Sequence, residues 1–118
     1  MVIDFQAHIY PEAYLDEMKR IDAAVVLEAP DPHSGMTYFY DKKLGCRINT
    51  ATFQGQNIGH RLEHMDQLGI DIHVLTIPAP GADRFEGEDA VGLARIANNA
   101  VAAICRTPTT YPPDLIAS

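Results

Sequence analysis

Residues 2–9 read Val2-Ile3-Asp4-Phe5-Gln6-Ala7-His8-Ile9, and Tyr10-Pro11 closes the run. Apolar and polar side chains alternate. Ile3, Phe5, Ala7 and Ile9 fall on one side, and Val2, Asp4, Gln6 and His8 on the other. A period of two is that of a β-strand. Pro11 stands where a helix starts without losing a backbone bond, and Tyr14, Leu15, Met18 and Ile21 follow at helical spacing. A short amphipathic helix is therefore expected over 11–21. In a parallel barrel the apolar side of such a strand meets the outer helices. Its polar side then points into the lumen near the carboxyl end, where barrels build their sites. Two side chains two residues apart on one strand project the same way and can reach one ion. An exposed polar edge with a solvated His8 satisfies the same spacing, so both readings stand at this point.

Outward from that strand the pattern breaks up. Residues 22–57 hold prolines at 30 and 32 and glycines at 35, 45 and 55, which predicts an excursion containing a hairpin. Its arms would be Met36–Tyr40 and Cys46–Asn49, joined by Asp41–Gly45. Helical spacing resumes with Ile58, Leu62, Met65 and Leu68, and Gly69 is placed to end that helix. IDIHVLTIP reads as a second strand, rich in β-branched residues and ended by Pro78. The stretch 88–106 predicts a long helix with Leu93, Ala97, Ala100 and Ile104 on its buried stripe. YPPDLIAS would begin a third strand. Strands separated by helices imply parallel pairing in an α/β protein.

The chain has 118 residues, 47% apolar and 21% charged, as expected of one globular domain. Its net charge is −7, without a run of Lys or Arg, which argues against nucleic acid and anionic membrane as partners. No apolar run approaches the roughly 18 residues of a membrane span. Cys46 and Cys105 belong to no paired-cysteine motif, and with no secretory leader pattern at the N-terminus a cytoplasmic, reduced protein is expected.

Three segments together resemble the N-terminal portion of the amidohydrolase family that includes aminocarboxymuconate semialdehyde decarboxylase. IDFQAHIYP is similar to the family's opening Asp-x-His-x-His or Asp-x-Glu-x-His strand. RLEHMDQLGIDIHVLTIP is similar to its Arg-x-x-x-Met-Asp-x-x-Gly-Ile-Asp segment, and DAVGLARIANNAVAAICR to its Leu-Ala-Arg-x-x-Asn helix. The resemblance implies a single partial domain over 1–118. This would be two to three βα units of a metal-dependent-hydrolase (β/α)8 TIM barrel, with 22–57 as an inserted excursion. It also implies a non-oxidative decarboxylase (a lyase) or a hydrolase of small carboxylated aromatic or muconate-like substrates.

By that resemblance His8 occupies the second metal-ligand position and Gln6 the first, while Asp4 would orient the ligands from behind. The glutamine matters, because a carboxamide oxygen is a weaker, neutral donor than imidazole or carboxylate. Losing even a partner behind a ligand weakens a metal site about 10–100-fold. A divalent metal is expected, Zn²⁺ first and Mn²⁺ as the alternative, bound weakly or not at all because of Gln6. The resemblance also implies Arg47, in the excursion after the first strand, as the residue holding a substrate carboxylate, a role that a planar guanidinium suits; a hairpin surface Arg is the plainer reading.

His60-Arg61-Leu62-Glu63-His64 also matches H-x-x-E-H, the inverted zinc-peptidase signature. These residues lie away from the apolar stripe of their helix and read as a solvated side. His73 is expected in a core or interface and His33 in a loop. A complete barrel needs about 250 residues, and a catalytic zinc needs about three protein ligands. The chain is thus expected to be a truncated piece, inactive alone and without catalytic residues of its own. Its exposed strand edges would be completed by a partner chain or a homo-oligomer. The competing reading is a non-catalytic α/β module that self-associates or binds a partner without metal.

Overall fold

The computed structural model describes residues 1–21, 23–51 and 58–106, the side chains of Thr50 and Ala51 excepted. The third strand expected at the C-terminal end, and the last part of the excursion, lie outside those residues. Along the chain run β1 (Ile3–His8), α1 (Glu12–Arg20), β2 (Val25–Leu27), β3 (Thr37–Asp41), β4 (Cys46–Ala51), α2 (Ile58–Leu68), β5 (Ile72–Thr76) and α3 (Gly87–Cys105). A short 3₁₀ turn, Ala82–Arg84, precedes α3. The described strands make a mixed α/β architecture of two sheets: β1 and β5 pair in parallel, while β2, β3 and β4 form an antiparallel sheet in that order.

Local sequence explains most of these elements. Pro11 caps α1, and its carbonyl accepts the amides of Tyr14 and Leu15. Gly69 ends α2 with φ +69°, where a side chain would be strained. The Ile70 amide folds back onto the Met65 carbonyl at 2.9 Å, closing the helix end. Between β3 and β4 the Asp41 carboxylate accepts the amides of Lys43 and Leu44 at 2.8 and 3.0 Å, and Gly45 takes φ +68°. Asp41 is 3% exposed and its carboxylate also receives Arg84 Nη1 at 3.3 Å, so it fixes the turn and ties it to the 3₁₀ segment.

The main core lies around α1. Tyr14, Leu15 and Met18 pack with Ile21, Val25, Phe39, Phe85, Leu93 and Ala97, joining α1, the antiparallel sheet and α3. Of the expected stripe on α3, Leu93 and Ala97 are buried, whereas Ala100 and Ile104 are only partly so. The excursion holds one strand more than the expected hairpin. β2 comes from Val25-Val26-Leu27, a short β-branched run whose signal was already present between Ala23 and Pro30.

The first strand departs from expectation in one respect that decides the site. Asp4 pairs with His73 and Ala7 with Leu75, so three steps on β1 oppose two on β5. An odd extra residue turns every later side chain to the other face. Asp4 and His8 therefore lie on opposite faces of the pair, not together on one inward side. The expected apolar side is split as well. Ala7 and Ile9 are buried, but Ile3 is 39% and Phe5 69% exposed. Among the described residues both outer edges of the pair lack a hydrogen-bonded strand, so the two strands form an open sheet.

Candidate functional site

At the carboxyl end of β1, His8 sits beside Thr76 of β5, with Nδ1 3.0 Å from the Thr76 hydroxyl. The Ile9 amide donates to the Thr76 carbonyl at 3.0 Å, which extends the pairing past the imidazole. An Nδ1–H donated to Thr76 would fix the ring and leave the Nε2 lone pair available for an acceptor role. Arg61 of α2 donates through Nη2 to the His8 carbonyl at 2.8 Å. Its Nη1 meets His73 Nδ1 at 3.3 Å on the face that also carries Asp4. The guanidinium thus lies over the Asp4–His73 face, and the His8 ring stands on the other, exposed with Thr76, Val74 and Ile72 along β5.

Gln6 is exposed within the irregular stretch of β1, and its backbone amide donates to Asp4 Oδ1 at 2.9 Å. Asp4 is accordingly engaged with its own strand and with His73, whose Nε2 is 3.6 Å from Asp4 Oδ2. Burial, aided by the neighbouring Arg61 charge, holds the His73 imidazole below its ordinary pKa, with Asp4 opposing that shift. Burial likewise lowers the Arg61 pKa.

The antiparallel sheet docks beside the ends of the parallel strands. Asn49 of β4 donates through Nδ2 to the Tyr10 hydroxyl at 2.9 Å and to the Ala79 carbonyl. Tyr10 itself donates to Ala79, and Tyr14 to the Pro80 carbonyl at 2.9 Å. Desolvation pushes both phenols up to about 12. Tyr10 follows β1 and Ala79-Pro80 follows β5, so this knot fixes how the excursion meets the carboxyl ends of both strands. Sequence reading passed over Tyr10, Asn49 and Ala79; the Tyr-Pro after the first strand and the Pro-Ala-Pro after the second mark the place.

Arg47 lies on β4 at the surface. Its Nε donates to Glu28 Oε2 at 2.8 Å, and its guanidinium stacks 4.2 Å from the Tyr38 ring centroid. Both arrangements orient it within the antiparallel sheet, and the structure does not bring it into contact with His8. His60 and Glu63 on α2 are exposed and 3.9 Å apart, His64 is exposed beside them, and His33 is an exposed loop residue.

His8 with its Thr76 partner fits one ligand of a divalent cation. A complete set is another matter: the described residues include no group of three His, Cys, Asp or Glu side chains able to hold one. No helix among the described residues is long and apolar enough to cross a membrane.

No family model matches the chain, and no curated protein does. A solved structure does match it: IDCase of Metarhizium anisopliae in apo form, an amidohydrolase-fold enzyme, superposes with a TM-score of 0.69. The likeness is one of fold. Sequence identity is 18%, and the match covers 89% of this chain. This chain spans only 31% of the IDCase chain.

Proposed function

We propose that the chain is part of a metal-dependent enzyme of amidohydrolase fold, the first units of a (β/α)8 barrel. Its nearest chemistry is that of non-oxidative decarboxylases or hydrolases of small carboxylated substrates. The observation that carries this reading is the placement of His8. It stands at the carboxyl end of a parallel strand pair, on the face opposite α2, with Thr76 fixing its ring. In a closed barrel that face becomes the lumen. A divalent cation bound there would supply Lewis acidity. His8 would give one nitrogen to it and Gln6 a weak amide oxygen, with the other ligands drawn from residues beyond this chain. Arg47 is the proposed carboxylate anchor, released from Glu28 when a competing anion arrives.

Calorimetric titration with Zn²⁺ and Mn²⁺ tests the reading. His8→Ala should abolish whatever binding the chain shows. Gln6→His should strengthen it by about 10-fold or more, as a nitrogen donor replaces an amide. Binding unchanged by both substitutions would remove His8 from the site.

A second reading is favoured by the bare side of the parallel pair, where Ile3, Phe5, Ile72 and Val74 are all more than a third exposed. It is a non-catalytic module whose open sheet is covered by another copy or a partner chain. Metal-independent self-association, lost on Phe5→Ser with Ile72→Lys, would support it over the enzyme reading.

A further inference from the structure

Arg61 bridges two groups that the sequence keeps apart. One prong, Nη2, donates to the His8 carbonyl at 2.8 Å; the other, Nη1, faces His73 Nδ1 at 3.3 Å. A guanidinium only donates, so His73 Nδ1 has to accept, and the ring is neutral with its proton on Nε2. That Nε2 lies 3.6 Å from Asp4 Oδ2. The His73 side chain is 11% exposed and Arg61 is half-buried, so the contact between them is partly shielded from water. The groups acting on His73 from the packed elements are Asp4 of β1 and Arg61 and His64 of α2.

We propose that Asp4, His73, Arg61 and the His8 carbonyl form a pH-sensitive latch, in which protonation of His73 detaches Arg61 from the end of β1. A proton on Nδ1 sets an N–H against the Arg61 N–H and adds a second positive charge at the same place. Asp4 steadies the imidazolium from the far side, while the ring no longer accepts from Nη1. The guanidinium must then withdraw, and its bond to His8 goes with it. The His8–Ile9 peptide, otherwise held by Arg61 on one side and by Thr76 on the other, loses the Arg61 restraint. The latch is independent of metal binding; its consequence for the positioning of His8 rests on the reading of His8 as a ligand.

Nuclear magnetic resonance of the full chain tests it, in a His8→Gln background so that the ring at position 8 does not itself titrate. The Ile9 amide and the Arg61 Nε–H should shift together with the His73 ring in one transition, with its midpoint below the ordinary value of 6.5. His73→Gln should abolish that transition at both reporters. Arg61→Gln should raise the His73 midpoint and leave the Ile9 amide flat, and this serves if His73→Gln disturbs the fold. A His73 transition that leaves Ile9 and Arg61 unmoved overturns the latch. So does an Ile9 transition that survives His73→Gln, or a His73 midpoint indifferent to Arg61→Gln. None of these outcomes depends on whether the chain binds metal.

Discussion

The two sheets of this protein are built to different standards of closure. The antiparallel sheet packs its alternate residues against α1 and α3, with Thr37, Phe39 and Asp41 all buried on one side of β3. The parallel pair meets α2 through Arg61 on the Asp4–His73 face, and among the described residues its other face is bare. Side chains as large as Phe5 and Ile72 stand partly in solvent there. A soluble domain seldom leaves a contiguous apolar sheet face uncovered unless something else packs on it. Burial is thus concentrated around α1, the antiparallel sheet and α3, whereas the strands that carry His8 keep one face exposed among the described residues.

The contrast is easiest to break by truncating one aromatic on each sheet. Phe39 is fully buried, and Phe39→Ala should cost about 3–5 kcal/mol in urea unfolding. Phe5→Ala should stay within about 0.5 kcal/mol, since little is lost when an exposed ring is removed. Equal costs would mean that the bare face is covered in solution. A smaller effect is expected at the hairpin turn. Asp41→Ala removes the acceptor of two amides and of Arg84, and about 1–3 kcal/mol should go with it.

The smallest expected effect concerns pH. The His73 pKa is lowered by folding, so the unfolded chain binds more protons near neutrality. The contribution of His73 is complete above its ordinary value of 6.5 and is lost as pH falls through the folded value. Unfolding curves collected across that window should weaken toward acid, and His73→Gln should flatten the slope. The phenols of Tyr10 and Tyr14 act at the opposite end. Their pKa values are raised, so their contribution holds below 10 and fades as pH climbs toward about 12.

Much of this organisation was legible from residue patterns. Period two at 3–8, the 3.6-residue spacing of Tyr14, Leu15 and Met18, Gly69 after α2 and Asp41–Gly45 between two strands all gave local signals strong enough to place their elements. The face of each side chain was not legible. Alternation along 2–9 put Asp4 and His8 together, but the irregular step after Asp4, where its carboxylate captures the Gln6 amide, parts them. Such a step depends on the partner strand, which no window of one strand contains. The Arg61 bridge and the Asn49–Tyr10–Ala79 knot are contacts between residues 12 to 69 positions apart, and they too leave no periodic trace.

The most direct measurement is the anomalous scattering of crystals of this chain soaked in excess Zn²⁺ or Mn²⁺. A peak about 2.0–2.2 Å from His8 Nε2, on the side away from α2, is the predicted result. Density at His60 and His64 or between Asp4 and His73, with none at His8, would contradict it.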